Sequence, residues 1–154
     1  MLEKISAEWI VFLVSAIPVL EQKAAIPIGL AENLNYGTVF MYSLIGSLLP
    51  APFIILLCRR VFDWLRRFPI FQKWIEKLEE RALKKGEKVE KYALFGLFIL
   101  VALPLPGTGV WTGSLVASVM NLDIKNSLWM IAAGAAVCGA VILFSGHGIL
   151  SLIQ

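Results

Sequence analysis

Apolar residues in this chain fall into long runs, and two of those runs are interrupted in similar ways. Ile5 to Ile17 is apolar, halts over Pro18 to Pro27 (PVLEQKAAIP) and resumes only from Ile28 to Ala31. Later, Leu94 to Leu103 and Val110 to Met120 flank the stretch Leu103 to Ser118, LPLPGTGVWTGSLVAS. Each flank amounts to about half of a membrane span. Pro104 and Pro106 lack a backbone N–H, and Gly107 and Gly109 admit dihedrals that other residues avoid, so continuous helix is not expected there. Non-helical backbone at mid-membrane depth survives only where protein or a wet cavity surrounds it. The pattern therefore predicts two broken helical hairpins. Tyr36 to Cys58 is long enough to cross a bilayer, with kinks expected at Pro50 and Pro52, and Ser127 to Ile153 forms a second crossing after a polar turn over Asn121 to Asn126.

The polar middle changes the picture from a simple hairpin pair to an oriented one. Between Arg59 and Lys91 lie 11 of the 14 Lys and Arg residues, beside six acids. Phe71, Trp74, Ile75, Leu78 and Ala82 recur on one side of it, which predicts an amphipathic helix lying in the interface. Glu80 with Lys84 and Glu87 with Lys91 are helical i,i+4 pairs, so most of these charges form a solvated face. The positive-inside rule puts residues 59–91 in the cytoplasm and both termini outside. A basic segment flanking apolar runs suits anionic lipid headgroups rather than nucleic acid.

Composition agrees: 154 residues, 58% hydrophobic and 16% charged, with a mean hydropathy of +0.79, describe an integral membrane protein. Glu8 within the first run, and no convincing small-residue cleavage site after it, argue against a removable signal peptide. Cys58 and Cys138 lie in apolar runs without metal-ligand spacing and read as buried small residues. No cofactor or metal is expected.

A gapless shift of 86 positions superposes Phe12 on Phe98, Ala16 on Ala102, Pro18 on Pro104, Ala31 on Ala117, Asn35 on Asn121, Ile45 on Ile131 and Leu57 on Leu143. The order of elements recurs as well: apolar half, proline break, apolar half, Asn-containing turn, crossing helix. A hairpin that returns to its own side, followed by one span, leaves the second copy upside down. The expected fold is thus all-α: a single membrane domain over 1–154, built as an inverted repeat. Each half, 5–58 and 92–153, is a re-entrant hairpin plus one transmembrane helix, and 59–91 links them. The two proline breaks should meet near the bilayer midplane.

Candidate chemistry concentrates at those breaks. Glu21 and Lys23 each cost roughly 2.5 to 3.5 kcal/mol at the centre of a span. They either pair with one another or reach headgroup water, or they serve a site in which Lys23 attracts an anion and Glu21 balances it or takes up a proton. The Gly107-Thr108-Gly109 turn leads into a half-helix near Val110, whose free amides and positive dipole end suit an anion. Thr108, Thr112 and Ser114 add hydroxyls and Trp111 a ring for stacking. The competing reading is that the glycines permit close packing, Thr and Ser satisfy broken-helix backbone, and Trp111 packs. His147 reads as interfacial, and Ala132, Ala136 and Ala140, with Ala135 and Gly139 adjacent, as a small-residue series that lets helices approach closely. Nothing resembles a nucleophile with its base, so an enzyme is not expected.

At PVLEQKAAIPIGLAENLNYG and LPLPGTGVWTGSLVAS the chain resembles the small multidrug export family over almost its whole length. That family is similar to the DedA superfamily, whose members pair re-entrant hairpins in an inverted repeat and include proteins implicated in moving polyprenyl phosphate and other phospholipids. The resemblance matches Glu21 to the acidic residue of the first hairpin. The DedA pattern has an arginine in its second hairpin; this chain has none there, and Lys23 is the nearest substitute. The expected function is an alternating-access transporter, proton-coupled through Glu21, moving an anionic lipid headgroup such as polyprenyl phosphate or a small anion. The alternatives are a proton-coupled exporter of small cationic compounds and a non-transport membrane scaffold. The expected setting is a prokaryotic inner membrane, with membrane lipids and a second copy of the chain as partners.

Overall fold

The computed structural model describes residues 2–65, 67–69, 73, 76, 77 and 86–153. Among them the regular structure is entirely helical: α1 (Leu2–Ala16), α2 (Glu21–Ala31), α3 (Tyr36–Leu48), α4 (Pro50–Leu65), α5 (Gly86–Ala102), α6 (Val110–Val119) and α7 (Ile124–Ile153). Phe71, Trp74, Ile75, Leu78 and Ala82, the apolar side of the expected amphipathic segment, lie outside the described residues. At the segment's two ends α4 continues to Leu65 and α5 begins at Gly86, so both ends are helical.

Helices α3 and α4 together make one apolar rod over Tyr36–Trp64, and α7 supplies a second over Ile124–Gly146, each long enough to cross a bilayer. Leu49 joins α3 to α4 in helical dihedrals and still bonds the Ile45 carbonyl at 3.0 Å. Pro50 cannot continue the ladder, so the interruption falls at the first of the two expected kink sites. Only 39% and 33% of the most apolar windows of these rods are buried in the protein. Phe53, Leu57, Trp129 and Phe144 point outward, the last 78% exposed. Such an apolar exterior belongs to a protein whose solvent is lipid. By contrast α2 and α6, with 11 and 10 residues, rise only about 15 to 17 Å and cannot cross.

The interior is correspondingly small and polar. Ser15, Ser43, Ser47, Ser114, Ser118 and Ser127 are all buried. Most return their hydroxyls to a carbonyl one turn back, as Ser15 does to Phe12 at 2.7 Å. Ser118 instead reaches across to the Ile55 carbonyl of α4 at 3.3 Å. Helices approach closely where side chains are absent: a methyl at Gly46 would overlap the Phe12 carbonyl, and one at Gly134 would lie 2.8 Å from the Phe98 carbonyl. The close contact on α7 therefore runs through Gly134, Ala135 and Gly139, all buried, whereas Ala132, Ala136 and Ala140 are only half-buried.

The order helix, break, short helix, turn, long helix occurs twice. The turns match in detail. Asn33 and Asn121 take positive φ of 56° and 50°, and Leu34 and Leu122 bond back to Gly29 and Ala117 at 3.1 and 3.0 Å, the Schellman arrangement that ends a helix. Asn35 and Asp123 then cap α3 and α7, accepting from the amides of Gly37 and Asn126 at 2.9 Å each. These pairs are 88 apart, not 86. The ends of α1 and α5 are 86 apart, so the gapless shift is correct up to the breaks and wrong after them. The second break, 103–109, is longer than the first, 17–20, and displaces everything downstream.

The first break is also shorter than the proline spacing predicts. Glu21, Gln22 and Lys23 belong to the opening turn of α2, and Pro27 sits inside that helix. Glu, Gln, Lys and Ala are strong helix formers, and an acid in the first turn suits the dipole. One missing bond at Pro27 does not outweigh them.

Two apolar clusters flank the middle of the molecule. Val11, Ala25, Ile26 and Val39 hold α1, α2 and α3 together, and Ile55, Leu97, Val101, Val110 and Ile131 hold α4 to α7. The opening turns of α2 and α6 meet between them.

Candidate functional site

The junction begins with a strained backbone. Val19 and Glu21 adopt φ of 74° and 44°, conformations that cost a non-glycine residue about 1 to 3 kcal/mol each. They turn the chain within four residues, so that α2 starts with its carboxylate aimed across at the second break. Opposite, Gly109 has φ 138°, a region open only to glycine, and is buried. A methyl there would overlap the Glu21 carboxylate. Gly109 is thus required twice, by its dihedral and by the approach of Glu21.

Glu21 is 5% exposed, and its Oε1 accepts the Trp111 backbone N–H at 2.9 Å. That amide is one of the free donors at the start of α6, so the carboxylate occupies the anion-favouring end of the helix. Lys23, half-buried, donates its ammonium to the Thr108 carbonyl in the same loop. The two charged residues therefore bind α2 to the second break at adjacent points. The Trp111 indole N–H adds a third tie, donating to the Ala16 carbonyl at the end of α1 at 3.2 Å.

This corrects the picture of an open cradle. The α6 amides are there as expected, but the protein's own carboxylate fills them. The hydroxyls face inward on their own loop: Thr108 donates to the Leu103 and Leu105 carbonyls at 2.7 and 2.8 Å, Thr112 to Gly107 at 2.8 Å, and Ser114 to Val110 at 2.7 Å. They are spent on carbonyls of the break and of the first turn of α6. Trp111 uses its ring as a tether rather than a stacking surface. Gly107, at φ 83°, is exposed and lets the loop turn.

Beside Glu21 lies a cavity with room for about one water. Of the residues singled out from sequence, it is lined by Glu21, Lys23 and Gly109; Gln22, Val101, Val110, Ala135 and Cys138 complete its wall. Gln22 is the residue that sequence reasoning missed. It is 3% exposed, and its Nε2 is buried without a partner. Lying between Glu21 and Lys23 in an opening helical turn was the available signal. The side chain of His147 lies outside the described residues.

No curated protein and no solved structure matches the chain. A family model does, over residues 21–141, from the carboxylate at the first break into α7. With that match covering most of its length, the chain belongs to the family described as "Putative small multi-drug export protein".

Proposed function

We propose that this protein is a proton-coupled membrane transporter whose α1–α2 and α5–α6 units are re-entrant hairpins of an inverted repeat, meeting near the bilayer midplane. The observation that carries the reading is the buried Glu21 carboxylate of one break seated on the Trp111 amide at the start of the helix that follows the other. The recurring turns and the two glycine-to-carbonyl contacts support the repeat, and the length of α2 and α6 supports re-entry.

In this reading the Glu21 contact is the closed gate. An ionised Glu21 satisfies the α6 N-terminus; taking up a proton removes its charge and weakens that bond, since hydrogen bonds to a charged acceptor are roughly twice as strong as neutral ones. What remains is Lys23 and the positive end of α6, an environment suited to an anion. A small anion or an anionic lipid headgroup such as polyprenyl phosphate is therefore the favoured cargo. With Glu21 ionised, the same two positive groups already compensate it, so a cation finds little surplus negative charge. The family description names drug export, and proton-coupled export of small cationic compounds is the second reading. The basic central segment faces the cytoplasm of a prokaryotic inner membrane, and the termini face outward.

Reconstitution in liposomes tests this. Labelled anions and, separately, a cationic dye are followed with and without a pH gradient. Gradient-driven anion movement that Glu21→Gln uncouples and Lys23→Ala slows is the expected result. Gradient-driven movement of the dye alone would select the second reading, and no movement of any cargo would leave a scaffold.

A further inference from the structure

The junction holds a buried donor that lacks an acceptor. Gln22 is 3% exposed, its Nε2 has no partner, and it lines the same small cavity as Glu21 and Lys23. Gly139 of α7 packs close beside its amide: a methyl there would lie 3.0 Å from Gln22 Oε1. A buried, unpaired N–H on a residue that lines a space with room for about one water is a position that an acceptor would complete.

The neighbouring group says which acceptor. The amide opening α6 is taken by a carboxylate, that of Glu21, so the donors gathered here already accommodate a planar group with two anionic oxygens. Among them Gln22 Nε2 is a buried donor group with no partner at all.

We infer that the junction is a binding site for the carboxylate of a small organic anion, which replaces Glu21 at the start of α6 while Gln22 Nε2 donates to one of its oxygens. The inference rests on the reading of Glu21 as the group that takes up the proton: while Glu21 is ionised, a second carboxylate beside it is repelled. Among the described residues, the other titratable groups around Glu21 are Lys23 on its own helix and Cys138 on α7. At the cavity α5 and α6 present Val101 and Val110, and the second break Gly109, none of them titratable. Gln22 is thus a specificity-determining residue: it fixes the second oxygen, which a halide lacks.

Equilibrium dialysis of the purified full chain with radiolabelled formate, at mildly acid and at slightly alkaline pH, tests this without any transport. The wild type should bind formate at acid pH and lose about tenfold or more in affinity at alkaline pH. Glu21→Gln, a permanent mimic of the neutral acid, should bind at both. Gln22→Met, similar in size and without the donor, should bind about tenfold or more weakly than wild type at acid pH while keeping its melting temperature. Unlabelled acetate should compete and chloride should not, and competition by phosphate but not acetate would overturn the carboxylate assignment. Wild-type binding that is absent at acid pH, or equal at the two pH values, overturns the site whether or not the variants fold. Formate binding as expected, in a protein that moves no cargo in liposomes, would remove the transporter reading and leave the site standing.

Discussion

Glu21 plays at α6 the part that a bound anion plays at other helix N-termini, and Lys23 ties the same loop through a carbonyl. Because the two act on adjacent points, their removal should not be additive. Lys23→Ala leaves Glu21 buried with less compensation and the Thr108 carbonyl without its donor, so the melting temperature should fall. In a Glu21→Gln background the first of those penalties is gone, and the loss should be smaller. A double-mutant cycle by thermal unfolding should give a coupling of about 0.5 to 3 kcal/mol; additive losses would mean that the charges do not sense each other. Gly109→Ala tests the other side of the contact. Its dihedral alone should cost about 1 to 3 kcal/mol, and displacement of Glu21 from the Trp111 amide should add to that. Retention of the wild-type melting temperature would show that the close approach is not needed.

At the scale of elements, the helical glycines differ in what they face: a backbone carbonyl at Gly46 and Gly134, side chains at Gly29, Gly113 and Gly139, and nothing at Gly96. Gly46 and Gly134 let α3 and α7 lie against the backbone of α1 and α5 at Phe12 and Phe98, where backbone cannot give way. Gly46→Ala and Gly134→Ala should therefore each destabilise by about 1 to 3 kcal/mol. Gly96, also helical, has nothing within 4 Å of a built methyl, and Gly96→Ala should raise stability by about 0.4 to 1 kcal/mol. Unfolding of the three variants in one detergent checks the contrast; a uniform effect would mean that general helix propensity, not close approach, sets the outcome. Neither contact was legible beforehand. The apolar runs and prolines located the breaks, the crossings and Glu21 facing the second loop, because half-span lengths and missing N–H groups act locally. Which alanines or glycines of α7 pack inward depends on how helices are placed around one another: the small-residue series includes Ala135 and Gly139, which are buried, but centres on Ala132, Ala136 and Ala140, which are half-buried, and passes over Gly134. The extent of α2 was misread because two prolines outweighed four good helix formers on inspection, whereas in the chain one lost bond at Pro27 is tolerated. The occupied state of the α6 amides was hidden for a similar reason: a free N-terminus and one filled by a distant carboxylate have the same local sequence.

For the whole molecule, the decisive matter is whether the α2–α6 contact opens. Cys138 is well placed to report it: 4% exposed, it lines the cavity beside Glu21 and Gln22 and sits on α7, a rod long enough to cross. Cys58, half-buried on α4, can be replaced by Ala so that Cys138 is the single thiol. While the junction is closed, a membrane-impermeant thiol reagent has no route to it. Weakening the gate by Glu21→Gln should raise the labelling rate about tenfold or more. The comparison must be made at one pH, because the thiolate is the reacting form and acid would slow the chemistry itself. Alternating access makes a further demand that mere loosening does not: in sealed proteoliposomes the rate should rise for reagent added outside and also for reagent trapped inside, since the midplane cavity must be reached in turn from each face. Labelling from one side alone would describe a pore vestibule or a one-sided binding cleft. An unreactive Cys138 in both the wild type and Glu21→Gln would mean that Glu21 is a structural bolt between two immobile halves.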